Sequence, residues 1–315
     1  MNALSELKKE KIAVLAGGTS CEREISLISG RNVMEALTSR GLAPLWVDPA
    51  QEGFISVLRK EKVTLAFLAL HGTFGEDGTA QALLEKEGIL YTGPGRRPSE
   101  LAFDKSQSQA IFKKQGICVP DFVSFSTARE ALAQASFKMP WVVKPAKSGS
   151  SVGVTLVSKP QQYPFAVAEA FKYSDVILVE EFIRGRELTV GILGDQALPI
   201  VEVTAQREFY DYQAKYKDSG TRYQVPAELS AAEAEKVRSQ ALSAYRALEC
   251  AMISRVDLIL GADGRAYVLE INTLPGLTAK SLLPKAAFCA GIDFGSLCVK
   301  ILGMTLTKRK TVTYG

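Results

Sequence analysis

Arg255, Asp257, Glu270 and Asn272 interrupt two apolar runs on either side of Asp263 and Gly264 in the segment RVDLILGADGRAYVLEINTLPGLT. Asp-Gly between alternating runs is a hairpin signal. With Asp263 and Gly264 as a two-residue turn, Asp257 lies across from Glu270 and Arg255 across from Asn272. Period-two alternation then puts all four on one face. A solvated outer sheet face is the competing explanation, but the residue types point elsewhere. Two carboxylates and an amide oxygen are hard ligands suited to Mg²⁺, which usually completes its octahedron with water and substrate phosphates. Asp257, Glu270 and Asn272 are the candidate metal ligands, and a phosphate-bearing substrate follows from them.

A second signal is WVVKPAKSGSSVGVTLVS, which sets Lys144 at a strand end and GSSVG, with Ser150 and Ser151, between two strands. A Walker loop would join strand to helix, and GxxxxGK[ST] is missing from the sequence. Successive backbone N–H groups of a Gly/Ser hairpin can still wrap phosphate oxygens while a lysine neutralises charge.

The elements that must carry these residues are legible in outline. KIAVLAG reads as a strand, a Gly-Gly-Thr-Ser loop follows, and Glu22 to Arg40 has helical periodicity ending at Gly41. PLWVD, VTLAFLAL and GILYTG supply further strands with amphipathic segments between them. Residues 1–104 therefore read as a doubly wound parallel α/β domain. GPGRRPSE reads as a loop, Leu101 to Gln115 as a helix, and residues 105–186 as a compact α+β domain. Residues 187–315 open with antiparallel strands and continue into a polar, aromatic stretch, 204–226, without a clear period. A loop that long is uncommon unless functional. It holds four of the ten tyrosines, which disordered tracts avoid, so a closing lid is the expectation. The helix Ser230 to Glu249, the acidic hairpin and two short helices complete the chain.

The 315 residues, 47% of them hydrophobic, suffice for two or three packed domains. A net charge of +4, spread along the chain, gives no basis for nucleic-acid binding. No apolar run is long enough to span a bilayer and the N-terminus has no signal-like segment, so a cytoplasmic protein is expected. Five cysteines without a C-x-x-C pair read as reduced and mostly buried thiols.

The order of these features, with EEFIRGREL between phosphate hairpin and lid, resembles the ATP-grasp ligases. Within them, GGTSCEREIS, HGTFGEDGTAQ, KPAKSGSSVGV, FYDYQAKY and LEINTLPGLTAKSLLP together resemble the D-alanine–D-alanine ligase family, and these motifs span nearly the whole chain. The resemblance implies an ATP-grasp fold and a two-step reaction. ATP converts one D-alanine to an acyl phosphate, and the amine of a second D-alanine displaces phosphate, giving a peptidoglycan precursor. It implies ATP and two Mg²⁺ ions, with Mn²⁺ as a substitute, no nucleic-acid or membrane partner, and a homodimer.

Residue by residue, the resemblance assigns the nucleotide to Lys105, Lys144, Ser150, Ser151, Glu180, Glu187 and Lys215, and the metal to Asp257, Glu270 and Asn272. Arg255 and the Gly276 N–H form the oxyanion hole. Glu22 holds the first D-alanine ammonium and is linked through Ser150 to Tyr216. His71, the only histidine, lies near the first substrate as a positioning group, and Ser281 takes the second substrate's carboxylate. Glu22 alone would also suit an ordinary helix start. Two positions depart from the family: Cys21, where a small apolar residue is common and a small buried one is expected here, and Gln109, where many members have a second basic residue. Alkylation of Cys21 is expected to inactivate, with ATP and D-alanine protecting. A D-alanine–D-lactate ligase is the alternative on the same fold, and a nucleotide-binding regulator without chemistry would require a broken site.

Overall fold

The structure is a computed structural model and describes residues 3–133, 138–204 and 221–312. Its first sheet is parallel, in the order β2-β1-β3-β4, from β1 (Ile12–Leu15), β2 (Leu45–Val47), β3 (Leu65–Leu68) and β4 (Leu90–Tyr91). All four residues of β1 and of β3 are buried, as a sheet covered on both faces requires. Ala13, Leu15, Ala66 and Leu68 form one core with Leu58 of α3 (Phe54–Lys60) and Leu84 of α4 (Thr79–Lys86). Ile12, Val14, Leu65 and Phe67 form the other with Leu7 of α1 (Ala3–Leu7) and with Val33 and Leu37 of α2 (Arg23–Ser39). Because β2 lies on one side of β1 and β3 on the other, the strand order reverses at β1. Ligands of open α/β sheets bind beyond the carboxyl ends of the strands at such a point, and the loops there carry Glu22 and His71.

Gly30 lets α2 approach the sheet: a Cβ built on it would lie 2.3 Å from Ala16 Cβ and 2.9 Å from the Trp46 ring. Overpacking of this kind costs about 1–3 kcal/mol, more than the ~1 kcal/mol that alanine adds in helix propensity. Gly30→Ala should therefore lower the urea midpoint. A raised midpoint would show that the helix can move outward without penalty.

The second sheet is antiparallel, in the order β5-β8-β6-β7. The strands are β5 (Phe122–Phe125), β6 (Trp141–Pro145), β7 (Thr155–Val157) and β8 (Ile177–Glu181). Before it, the chain forms two helices where one was expected, α5 (Arg96–Phe103) and α6 (Lys105–Lys114). Pro98 in the RRPSE stretch sits in the first turn of α5, where a missing N–H costs nothing, so that stretch is helix rather than loop. The break falls at Asp104, whose carboxylate accepts from the N–H groups of Ser106 and Gln107 as an N-cap. Helices α7 (Ala128–Ala133) and α8 (Tyr163–Ala170) bury Ala131, Ala166 and Val167 against Val143, Val157 and Val179.

The third sheet runs β12-β11-β9-β13-β14, all antiparallel, with β10 beside β9. Its strands are β9 (Gly185–Leu193), β10 (Gln196–Ala197), β11 (Val201–Thr204), β12 (Arg222–Gln224), β13 (Ile253–Gly261) and β14 (Ala266–Asn272). Leu188, Val190, Ile192, Val256, Leu258 and Leu260 pack on Val237, Ala241 and Ala244 of α9 (Ala231–Ala247). Glu187, Thr189, Arg255 and Asp257 alternate onto the opposite face. Both ends of the expected lid are strand, Thr204 pairing with Arg222; Lys215 and Tyr216 lie outside the described residues.

Two helices follow, α10 (Leu282–Cys289) and α11 (Phe294–Val312), and the second is 19 residues long rather than short. Leu297, Ile301 and Leu302 of α11 complete the α2-side core of the first sheet. Among the described residues no single helix is long and apolar enough to cross a membrane.

Candidate active site between two sheets

In the β13–β14 hairpin, Asp257 pairs with Glu270 and Arg255 with Asn272, as the sequence predicts, but by a different route. The loop has three residues, Ala262 to Gly264: the Gly261 N–H donates to Arg265 O at 2.9 Å and the Gly264 N–H to Gly261 O at 2.9 Å. Gly264, at φ 73°, takes the left-handed position such a loop needs. The extra loop residue would shift every pair by one. A bulge between Asp257 and Leu258, with Leu269 as the additional residue, restores the register ahead of Glu270. Gln109 explains itself here. It is fully buried and its Nε2 donates to Val268 O at 3.3 Å and Leu269 O at 2.7 Å, the carbonyls of the bulge. A lysine there would bury a charge at those carbonyls.

Asp257 is the hub of the face. Arg255 grips it through two bonds, Nε to Oδ1 at 2.9 Å and Nη2 to Oδ2 at 2.7 Å. Thr189 Oγ1 donates to Oδ1 at 2.5 Å and Asn272 Nδ2 to Oδ2 at 3.0 Å. Glu270 faces the neighbouring domain, with Lys105 Nζ 3.2 Å from its Oε2 and donating to Ser148 O at 2.6 Å. One lysine thus touches both the acidic hairpin and the Gly/Ser loop.

That loop, residues 146–154, joins β6 to β7 and places Ser150 (φ 51°) and Ser151 (φ 58°) in left-handed backbone. Non-glycine residues there are uncommon, and two in succession turn backbone N–H groups into an anion-binding concavity. Lys144 Nζ lies 2.7 Å from Glu180 Oε1, and both side chains are more than nine-tenths buried. Among the described residues Lys144 is the partner that Glu180 Oε1 has. Lys105, Lys144, Ser151, Glu180, Glu187, Asp257 and Glu270 all line one cavity.

A second cavity adjoins the first at Glu187 and Asp257, which line both. Glu22, His71, Ser150, Arg255, Asn272, Gly276 and Ser281 surround it. The Ser150 hydroxyl donates to Glu22 Oε1, tying the phosphate loop to the first domain. Asp48 fixes the approach to Glu22: it takes a bidentate bond from Arg23 and one from the Gly18 N–H. Ser281 caps the start of α10 without bonding into the helix; its Oγ accepts from the Thr278 N–H at 2.9 Å.

His71 is buried, with Nδ1 3.1 Å from Leu274 O and Nε2 3.1 Å from Ser29 Oγ. A carbonyl only accepts, so Nδ1 carries the proton and Nε2 takes one from the serine. Burial lowers its pKa, against the pull of Glu22, which leaves a neutral ring with both nitrogens engaged. This suits positioning. His71→Gln can replace the donor and acceptor and should hold turnover within about tenfold, whereas His71→Leu leaves two partners unpaired and should cost more. Unchanged steady-state kinetics in both variants would remove His71 from the site.

Sequence reasoning passed over Glu76, inside HGTFGEDG. It lines the second cavity and accepts from the Gly72 N–H at 2.8 Å and the Leu274 N–H at 3.3 Å. Burial, then the charge of Glu22, push its carboxyl up to about 8, against those two bonds and Arg255. Only the clustering of acids in one cavity reveals it, and that depends on tertiary contacts between segments distant in sequence.

The cysteines correct the sequence reading. Cys250 and Cys298 are buried, Cys118 is half-buried, and Cys21 and Cys289 are exposed. Cys21 is therefore not a small core residue: the turn before α2 directs it outward. Partial burial, then Glu22, raises its thiol pKa and so disfavours the thiolate that alkylation requires.

Three sheets with a cleft between the second and third, floored by an acidic hairpin and roofed by a Gly/Ser loop, define an ATP-grasp ligase. The family model described as the D-ala D-ala ligase C-terminus matches residues 111–303. The D-alanine–D-alanine ligase of Citrifermentans bemidjiense is 46% identical over 95% of this chain and 97% of its own length. The crystal structure of the Bacillus anthracis D-alanine–D-alanine ligase complexed with ATP superposes with a TM-score of 0.83 at 34% identity, covering 96% of this chain and 99% of that one. The VanG D-Ala:D-Ser ligase of Enterococcus faecalis gives 0.79 at 28% identity, over 94% and 99%. The chain belongs to the D-alanine–D-alanine ligase family. It is an enzyme, a ligase.

Proposed function

We propose that this chain uses ATP to turn the carboxylate of one D-alanine into an acyl phosphate and then joins it to the amine of a second, forming D-alanyl-D-alanine. The observation that carries this is the meeting of the two cavities at Asp257 and Glu187. A nucleotide whose phosphates lie along Lys105, Lys144 and the Ser150–Ser151 loop ends at that junction, beside whatever occupies the second cavity. Catalysis is then positioning and charge stabilisation.

Glu22 and Ser150 orient the ammonium of the first D-alanine, so its carboxylate faces the terminal phosphorus. Attack forms a carboxyl O–P bond and releases ADP. The second amine forms a C–N bond at the carbonyl. Phosphate leaves with the electrons of the C–O bond, and the ammonium's surplus protons pass to phosphate and solvent. Arg255 and the Gly276 N–H stabilise the oxyanion formed between these events, while Ser281 and the start of α10 hold the second carboxylate. Lys215 and Tyr216 are assigned to closing over the nucleotide and to the second substrate.

The donor set of Asp257, Glu270 and Asn272 is all oxygen and suits Mg²⁺, with phosphate oxygens completing the shell. These residues would hold two such ions, with Mn²⁺ as a substitute, and bound metal would neutralise phosphate charge. We further assign residues 1–104 to a substrate domain, 105–186 and 187–315 to the two grasping domains, and the enzyme to a cytoplasmic homodimer supplying peptidoglycan synthesis.

Phosphate release from MgATP with D-alanine, compared with L-alanine and with D-alanine plus D-lactate, tests the reading when products are weighed by mass spectrometry. D-alanine-dependent release with a dipeptide product supports it. A mixed ester would overturn the second-substrate assignment, and ATP binding without turnover would overturn the ligase chemistry.

A further inference from the structure

The turn Leu274–Pro275–Gly276–Leu277 belongs to the third domain, yet its ends are held by the first. The Leu274 N–H donates to Glu76 Oε1 at 3.3 Å, and Leu274 O accepts from His71 Nδ1 at 3.1 Å. The Leu277 N–H donates to Ser29 Oγ at 3.3 Å, and Leu277 O accepts from Asn32 Nδ2 at 3.0 Å. Every backbone polar atom of the two flanking leucines thus has a partner from the N-terminal domain. Ser29 and Asn32 lie three residues apart on α2 and so share one helix face. His71 and Glu76 come from the loop after β3, and His71 Nε2 is bound to the same Ser29, closing the set into one network.

Between the clamped ends, Pro275 has no N–H, so Gly276 supplies the only amide donor of the turn's interior. The turn is tight on its other side as well: a Cβ on Gly276 would lie 2.7 Å from Ser281 Oγ. Leu274 and Leu277 are both buried, which anchors the two ends of the turn.

We propose that Ser29, Asn32, His71 and Glu76 are positioning residues that jointly aim the Gly276 N–H, so that the first domain sets the oxyanion hole built on the third. The proposal rests on the oxyanion role assigned to Gly276 above. An oxyanion donor works within about 2.7–3.1 Å of the charge it meets, and a displacement of ~1 Å can cost about 10²-fold in rate. Loosening the clamp should therefore slow turnover and leave nucleotide binding alone, because none of the four residues touches the nucleotide cavity.

The test uses the full chain with two variants, Glu76→Met, which removes the acceptor for the Leu274 N–H, and the isosteric Asn32→Asp, which keeps shape but loses the donor to Leu277 O. Hydrogen–deuterium exchange of the peptide covering 273–278 is read beside kcat and the KM for ATP. Faster exchange confined to that peptide, with kcat lowered by about 10- to 100-fold and the KM for ATP within about twofold, supports the proposal. Unchanged exchange overturns the clamp. Faster exchange with unchanged kcat overturns the aiming of Gly276 while leaving the ligase reading intact. If Glu76→Met fails to fold, Asn32→Asp carries the comparison alone. A wild-type enzyme that forms no D-alanyl-D-alanine overturns the ligase reading itself, and with it the proposal.

Discussion

Replacing Arg255 with methionine should lower turnover by about 10²- to 10³-fold, the range seen when an oxyanion donor is removed. The loss has two sources. Arg255 lines the second cavity, where the proposed reaction sets it against developing negative charge, and its fork holds both oxygens of Asp257. Both side chains are about five-sixths buried, so the variant leaves Asp257 with only Thr189 and Asn272. Arg255→Lys separates the two roles. It restores a charge, but an ammonium cannot make the bidentate contact, and most of the deficit should persist. Rapid-quench measurement of dipeptide formation would check this, and wild-type rates in Arg255→Lys would show that charge alone suffices.

Lys144→Met should weaken ATP binding by tenfold or more, since a hydrogen bond to a charged group contributes about 1.5–3 kcal/mol. It should also destabilise the fold. Lys144 and Glu180 sit on neighbouring strands, Val142 being the residue directly opposite Glu180, and their ion pair is buried. Removing one partner of such a pair costs about 3–5 kcal/mol, whereas replacing both with apolar groups is often neutral. The double variant Lys144→Met/Glu180→Leu should therefore recover the unfolding midpoint and still bind ATP poorly. Calorimetric titration of both proteins decides the matter. Full ATP affinity in the double variant would reduce Lys144 to a structural partner of Glu180.

Much of this site could be read without coordinates because its chemistry is local. A Gly/Ser hairpin after a strand, and carboxylates at period two around an Asp-Gly turn, leave their mark within about twenty residues. The hairpin also shows how a correct pairing can follow from an incorrect turn. Sequence reasoning took two loop residues and an unbroken ladder; the protein uses three and a bulge, and the two departures cancel at Glu270. Neither is visible in a pattern of residue types, since a bulge is a property of the pair of strands and of Gln109 behind them. Glu76 was passed over for a related reason. Nothing near it in sequence marks it, and only the approach of Leu274 and Glu22 from distant segments gives it a role. Exposure of Cys21 likewise depends on how one turn faces, which residue type does not encode. The long final helix was read as short because its apolar positions serve a sheet laid down at the other end of the chain.

That last arrangement has a consequence for biogenesis. Strand β4 ends at Tyr91, but α11, which covers the first sheet, starts at Phe294. At about 5–20 residues per second, the ribosome takes on the order of ten seconds or more to travel between them. Throughout that interval Ile12, Val14, Leu65 and Phe67 lack part of their cover. The segment synthesised earliest is thus among the last to reach its final form, and the nascent chain presents a sticky apolar surface that a holdase chaperone would be suited to shield.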